Sequence, residues 1–483
     1  MRTVLILVLL SLVACGPAAP AKPQLTGNAD DQQPSDLESP ARVLVSGLEG
    51  PWEVTWGPDD MLWVTERAGR RVTRIDPESG TTRVAVTIGE VLVDMQHQGL
   101  LGMALHPELL AGSGNDYVYV AYTYDGTPGD GDEQDNPRAK VVRFTYQPDA
   151  ETLSEPSELI SGIPAGNDHN GGRLKIGPDG KLFYSLGEQG ANQFANFCKP
   201  IEAQRLPTDS EVQSADWSAY KGKILRMELD GAIPVDNPMF NGVRSHIYTY
   251  GHRNPQGIVF GPDGTLYQAE HAANTDDELN IIRAGGNYGW PHVAGYRDNQ
   301  AYAYVNWSAA PNCQELTWTN LTDPASVPAG VPSAEETSYT EAFVEPIMTL
   351  YTVPNGYDFE DETCGETFFI CRPSIAPSSV DYYPQDGAIP GWGGSLLVTS
   401  LKNGALYRFK LSGDGQGVRD TDQLFDTVNR YRDLAIGPDN QTFYIATDSA
   451  GFTQDAKGGA TDVLANPGSI MVFRFTSNSG TAP

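Results

Sequence analysis

Short runs of alternating apolar and polar positions, each introduced by a Gly-Pro-Asp turn, set the pattern of this chain. Trp56-Gly57-Pro58-Asp59-Asp60 precedes Met61-Leu62-Trp63-Val64, and Ile176-Gly177-Pro178-Asp179-Gly180 precedes Lys181-Leu182-Phe183-Tyr184. The unit returns at Gly261-Pro262-Asp263-Gly264 and at Gly437-Pro438-Asp439-Asn440. Pro and Asp-Gly are turn chemistry, and a period near two afterwards predicts strands rather than helices. Each unit therefore starts a strand pair. Looser copies at His106-Pro107-Glu108 and Tyr383-Pro384 bring the number to about six. A repeated four-stranded unit with variable insertions predicts an all-β fold, a six-bladed β-propeller of four-stranded antiparallel blades, with its loops gathered at one end of the channel. A β-sandwich array is the alternative, and it explains the repeated turns less well.

Composition agrees with that pattern. The chain has 483 residues with 51 Gly, 35 Pro and 40% hydrophobic content, enough for a large core and many turns. Propellers grow by adding blades around one axis, so one large domain is expected, from residue 41 to 478. A net charge of −30 with no basic patch argues against nucleic acid as a partner. It also supplies the hard oxygen ligands that calcium takes, although carboxylates serve equally as solvated surface.

The N-terminus places Met1-Arg2 before an apolar run from Val4 to Val13, then Ala14-Cys15-Gly16. That run is too short for a transmembrane helix and reads as a signal peptide over residues 1–15. Small residues before Cys15 resemble a bacterial lipoprotein signal, with simple secretion as the alternative. The expected location is the periplasm, with a lipid anchor in the outer membrane through Cys15 as the sole membrane attachment. Residues 16–40, rich in Pro, Ala, Asp and Gln, read as a flexible tether. Cys198, Cys313, Cys364 and Cys371 then remain in an oxidising compartment. Cys364 and Cys371 are expected to pair across a short loop, while spacing leaves open whether Cys198 meets Cys313.

Chemistry concentrates in a few polar loops. His169 lies in Gly166-Asn167-Asp168-His169-Asn170-Gly171-Gly172-Arg173, just before a repeat strand. A loop histidine is either solvated or, with carboxylates such as Asp168 and Glu188 nearby, a general base. Arg430 and Arg432 sit two residues apart, on one side of an extended strand. With Arg253 and Lys402 they suggest an anionic ligand at the channel, with ordinary ion pairs as the alternative. Asn274-Thr275-Asp276-Asp277-Glu278 is either a calcium loop without an EF-hand pattern or a solvated acidic turn.

Several longer strings resemble the soluble PQQ-dependent enzymes of the glucose/sorbosone dehydrogenase family. They are Gly99-Leu100-Leu101-Gly102, Asp168-His169 with Gly172-Arg173-Leu174, Gly251-His252-Arg253-Asn254-Pro255-Gln256-Gly257, Gly285-Gly286-Asn287-Tyr288-Gly289-Trp290-Pro291, Cys364-Gly365-Glu366 and Asn429-Arg430-Tyr431-Arg432-Asp433. Their order spans roughly Gly47 to Phe475.

The resemblance implies pyrroloquinoline quinone (PQQ) over the channel, its carboxylates held by Lys402, Arg430 and Arg432, with Arg253, Asn254 and Ser374 nearby. It implies a calcium (Ca2+) on the quinone, bound by the carbonyls of Ala272 and Ala273, where close members have Gly and Pro. A further calcium, tied in the family to dimer contacts, would use Asp277, Glu278, the Tyr288 carbonyl and Asp298. By the same likeness His169 is the base that takes the proton from the sugar C1 hydroxyl while hydride passes to the quinone, giving the lactone. Glu188 supports it in place of the family's Asp, and Asp168 and Gln193 face substrate. Electrons would go on to an acceptor other than oxygen: a quinone, a cytochrome or a dye.

The substrate loop departs from the family. Counting back from Gly99 puts His97 where the family has a sugar-contacting Gln, with Gln96 and Gln98 as alternatives, and Arg372 stands where Trp is expected. An aldose remains the expected substrate, with glucose leading. Two other readings compete: a calcium-dependent propeller lactonase, which leaves Lys402, Arg430 and Arg432 unused, and a non-catalytic carbohydrate-binding propeller, which has no need of His169.

Overall fold

Each Gly-Pro-Asp unit forms the turn between the first and second strands of a four-stranded sheet. The glycine N–H donates to the carbonyl that opens the second strand, at 2.8 Å in Gly57–Met61, Gly177–Lys181, Gly261–Thr265 and Gly437–Thr442. The aspartate then accepts a backbone N–H two residues on, as Asp179 does from Lys181 at 3.1 Å and Asp439 from Gln441 at 2.9 Å. The looser His106 and Tyr383 copies occupy the same turn in their own sheets. The computed structural model describes residues 24–25, 42–93, 97–128, 136–193, 196–316, 327–359 and 362–475.

Six sheets follow in order, with the innermost strands Pro51–Trp56, Leu100–Leu105, Leu174–Ile176, Asn254–Phe260, Pro377–Tyr383 and Tyr431–Ile436. These strands neighbour one another in a closed ring, the last against the first. The fold is the expected six-bladed propeller. The sixth blade closes in a way its local sequence does not announce: its outer strand is Arg42–Val45, paired antiparallel with Ile470–Arg474. The fourth blade gains a fifth strand, Gln24–Leu25, parallel to Met348–Leu350, so two residues of the expected tether are paired. The expected signal peptide, Cys15 and the rest of the expected tether lie outside the described residues. No helix among the described residues is long and apolar enough to cross a membrane.

Packing explains the alternation seen in the sequence. Six apolar clusters fill the six wedges between adjacent blades, for example Tyr119, Val141, Leu182, Tyr184 and Leu225 between the second and third. Each buried Leu, Val or Phe there contributes about 1.5–3 kcal/mol relative to exposure. The ring's centre is polar. The Arg173 guanidinium donates to Glu53 Oε2 at 2.6 Å, to Gln256 O at 3.1 Å and to Ser378 O at 2.9 Å, and stands 3.0 Å from Asp433 Oδ2. It also lies over Trp52, 4.3 Å from the ring centre. One side chain thus joins strands from five blades.

The two disulfides are Cys364–Cys371, as spacing suggested, and Cys198–Cys313, which spacing left open. The second has its Cα atoms 5.9 Å apart and fastens the 187–222 loop to the 306–316 segment.

Candidate active site

Because the Gly-Pro-Asp turns lie at the far end of the inner strands, the opposite end is built from two kinds of loop. One kind enters the inner strand; the other joins the second strand to the third. His169, Arg253, Ser374 and Arg430 come from the first kind, and Glu188, Gln193, Ala272, Ala273 and Lys402 from the second. The predicted residues therefore meet at one mouth of the channel.

His169 is 6% exposed and takes a left-handed backbone conformation, φ +41°, uncommon for a non-glycine residue. Gly187 makes this possible, since a Cβ there would sit 2.0 Å from the His169 carbonyl oxygen. The ring is held at both nitrogens. Nδ1 lies 2.6 Å from Glu188 Oε1, and Nε2 lies 3.0 Å from Gln193 Nε2. Arg253 can only donate, and its Nη2 reaches Gln193 Oε1 at 2.9 Å, so the Gln193 amide turns its N–H2 toward His169 and Asp168. His169 Nε2 then accepts, and Nδ1 carries the proton toward Glu188. That tautomer presents a lone pair to the channel mouth, as a general base requires.

Glu188 is itself fixed by N–H groups of Gly190 at 3.2 Å and Ala191 at 2.9 Å. Asp168 accepts from its neighbour's N–H at 2.9 Å and from Gln193 at 2.9 Å. Burial works to raise its pKa, but the electrostatics of the neighbouring His169, His97 and Arg253 side chains and the Gln193 hydrogen bond together hold the carboxyl well below its ordinary range. His97 is part-exposed with Nε2 3.4 Å from Asp168, whereas Gln98 is buried and gives its carbonyl to Arg67 at 2.7 Å. Gln96 lies outside the described residues. Asn170 ties the His97 loop in place by donating to the His97 carbonyl at 2.9 Å.

Across the mouth stand Lys402, Arg430 and Arg432. Arg432 is bidentate to Asp448, at 2.9 and 2.7 Å, and Arg430 Nε adds a third bond at 3.0 Å. Lys402 Nζ donates to the Arg372 carbonyl. Thr453 Oγ1 lies 2.5 Å from the Lys402 carbonyl and 2.9 Å from the Asn429 carbonyl, so its one O–H, shared between them, bridges the two loops. The two buried arginines share one salt-bridged carboxylate, and the buried Lys402 is held by a backbone carbonyl. Burial accordingly lowers Lys402 to about 7 and also lowers Arg430, while the two arginines, overcoming burial, hold Asp448 down to about 2. Burial lowers Arg253 too. A chain of hydrogen bonds spans the mouth from Arg432 Nη1 to Gln256 Oε1 at 3.3 Å, from Gln256 to Asn254 Oδ1 at 3.0 Å, and from Gly171 N–H to the same oxygen at 3.3 Å.

The metal expectations need one correction. Asp277 does not join Glu278, because successive strand residues face opposite ways. Its carboxylate accepts from Ser374 Oγ at 2.7 Å, Ile375 N at 2.8 Å, Ala376 N at 3.1 Å and Ala272 N at 3.0 Å, so it braces the Ser374 loop and the alanine loop. Glu278 instead falls near Asp276, with Asp298 and Glu336 close by. Burial and mutual repulsion push Asp276 up to about 8 and Glu336 to about 7, and raise Glu278 strongly. Tyr288 stacks on His252 with ring centres 4.5 Å apart and donates its hydroxyl to Ile281 O at 2.7 Å. Ala273 lines a cavity of about 20 Å³ with Gln193, Trp290 and Tyr302. Among the described residues, no three His, Cys, Asp or Glu side chains converge closely enough to hold a metal by themselves.

Sequence reasoning missed Asp448 and His271. Both stand where the second strand of a blade meets its loop, the place that Glu188 and Lys402 hold in their blades, so the repeat register could have found them. The Nε2 atom of His271 is buried without a hydrogen-bond partner among the described residues.

Known proteins resemble this chain along most of its length. A family model described as glucose/sorbosone dehydrogenase matches residues 48–338 and 351–454. The chain is 44% identical over 440 residues to quinoprotein glucose dehydrogenase B of Acinetobacter calcoaceticus, covering 90% of each. A crystal structure of a glucose dehydrogenase superposes with a TM-score of 0.62 at 25% identity, covering 90% of this chain and 99% of that one. The PQQ-bound aldose sugar dehydrogenase of Streptomyces coelicolor gives 0.58 at 24% identity over 92% and 99%, a likeness of fold.

Proposed function

Because the chain belongs to the glucose/sorbosone dehydrogenase family, we propose that it is a PQQ-dependent sugar dehydrogenase that oxidises the C1 hydroxyl of an aldose to the lactone. One observation carries the reading: an oriented His169 opens on the same channel mouth as Lys402 and two arginines that share a single carboxylate. A polycarboxylate cofactor fits that surplus, with Lys402, Arg430 and Arg432 as its holders and Asn254 and Ser374 beside them. Bound PQQ would supply the two-electron acceptor for the hydride that leaves C1.

The chain's own residues supply the remaining work. A sugar hydroxyl that displaces the Gln193 amide meets the lone pair of His169 Nε2, which takes its proton. Glu188, at Nδ1, stabilises the imidazolium that forms. Asp168 and Gln193 offer an acceptor and a donor to neighbouring sugar hydroxyls, and His97 adds a titratable edge that bears on which sugar is preferred.

Calcium belongs to the same proposal. The backbone carbonyls of Ala272 and Ala273 are hard oxygen donors on a loop that Asp277 braces, and a second cation beside Glu278 and Asp298 would need backbone oxygens as well, because no three carboxylates converge among the described residues. Two disulfides suit an oxidising compartment.

The test is direct. Purified protein loaded with PQQ and calcium is expected to reduce an artificial acceptor when an aldose is added, and the aldose alone should bleach the oxidised cofactor spectrum. No turnover across a broad aldose panel, with cofactor bound, would sink the reading. The product, lactone or otherwise, is identified in the same assay by hydroxylamine trapping.

A further inference from the structure

Beneath the His169–Glu188 pair lies a second histidine–carboxylate pair that the reaction above leaves unused. His252 Nδ1 stands 3.0 Å from Glu270 Oε2, and the two residues are 0% and 3% exposed. His252 Nε2 lies 2.9 Å from Thr249 Oγ1, and Gln268 donates to Glu270 Oε2 at 2.8 Å. The other oxygen, Glu270 Oε1, accepts the backbone N–H of Arg253 and that of Asn254, the latter at 3.1 Å. Both lobes of one buried carboxylate are thus engaged, one by side chains and one by the loop that enters the fourth blade.

From Arg253 the connections divide and then converge on the base. The Arg253 carbonyl accepts the Glu188 N–H at 2.9 Å, and Glu188 holds Nδ1 of His169. The Arg253 guanidinium fixes Gln193, which meets Nε2. Asn254, held by the same carboxylate, accepts Gly171 N–H two residues beyond His169. Both nitrogens of the imidazole therefore depend on a peptide that Glu270 places.

We propose that Glu270 is a positioning residue of the active site, acting through the Arg253 and Asn254 N–H groups to align Glu188 and Gln193 on the two nitrogens of His169. It rests on the reading of His169 as the base. Hydrogen bonds to an ionised acceptor are stronger and more closely directed than neutral ones, which suits a carboxylate to this work. Small displacements of a reacting group can cost about 10²-fold in rate even when the altered residue is remote from the chemistry.

The test compares Glu270→Asp with Glu270→Gln in the full chain loaded with PQQ and calcium, with kcat expressed per bound cofactor from its absorbance. Aspartate keeps the charge but cannot reach both N–H groups, and should lose about 10²-fold in kcat while cofactor stoichiometry is retained. Glutamine keeps an acceptor oxygen in place and should lose only about three- to tenfold. Normal kcat in the aspartate variant overturns the proposal, as does a glutamine variant that loses as much as the aspartate one, since charge rather than placement would then matter. If the aspartate variant does not fold, the glutamine variant decides: its loss must appear in kcat together with a shift of the low-field His169 Nδ1 proton resonance, and an unmoved signal with unchanged kcat overturns the idea. His169→Ala separates this proposal from the one beneath it. Normal turnover there defeats the base assignment, whereas an inactive His169→Ala beside an unaffected Glu270→Asp defeats only the role of Glu270.

Discussion

Glu188 Oε1 lies 2.6 Å from His169 Nδ1, while the Glu188 backbone N–H is bonded to Arg253 in the next blade. The support of the His169 ring is therefore anchored across a blade boundary. His169→Ala is expected to lower kcat by about 10²–10⁴ with cofactor affinity kept, and Glu188→Gln to give a smaller loss of the same kind. Steady-state rates beside fluorescence titration of the cofactor check both.

Lys402 carries a different expectation. Burial lowers its pKa to about 7 in the absence of an anionic partner, and a carboxylate placed against it restores the charged form. Binding the cofactor above pH 7 must then take up a proton, so affinity should weaken by up to about tenfold per pH unit between 7 and 9. In Lys402→Met that slope should vanish and affinity be low throughout. Titrations at pH 6.5, 7.5 and 8.5, chosen as roughly even steps across this window, measure it.

Arg173 is the test of the ring itself. Its removal leaves Glu53 and Asp433 buried without their shared cation. Arg173→Leu should cost about 3–5 kcal/mol in denaturant unfolding, far more than a surface arginine. A loss under about 1 kcal/mol would show that the centre relaxes or hydrates.

His246 predicts an acid limb in stability. Burial lowers its pKa from 6.5 to about 4, and its ring nitrogens face the Tyr220 hydroxyl and the Gly231 carbonyl, each at 3.0 Å. The unfolded chain takes a proton near pH 6.5 that the folded chain refuses until about 4, so stability is full above 6.5 and falls as pH drops through that window. The slope is about 1.4 kcal/mol per unit, or about 3 kcal/mol in all. Thermal unfolding from pH 7 to 4 should show a shallower decline for His246→Gln than for the parent chain.

The blades were legible because a Gly-Pro-Asp turn is local chemistry, readable within five residues. His169, Lys402 and the two arginines were legible as strings of a family, and the structure gathers them at one mouth. What stayed hidden depends on distant partners. Asp448 reads as a loop acid until Arg430 and Arg432 close on it, and Asp277 reads as a partner of Glu278 until the strand sends it toward Ser374, 97 residues away. Arg173 and Glu53 meet across 120 residues, and Cys198 finds Cys313 across 115, distances at which spacing carries no geometry.

The pairing of Arg42–Val45 with Ile470–Arg474 has a consequence for the order of events during synthesis. The earliest-made strand of the ring must wait, unpartnered, until residue 470 and its neighbours have emerged. The blade bearing Arg430 and Arg432 is the one it completes. Contacts this remote in sequence form late and slowly. A ribosome-bound fragment ending before residue 470 would thus display His169 without a finished blade behind Arg430 and Arg432, and completion of that blade becomes a report that synthesis has passed residue 470.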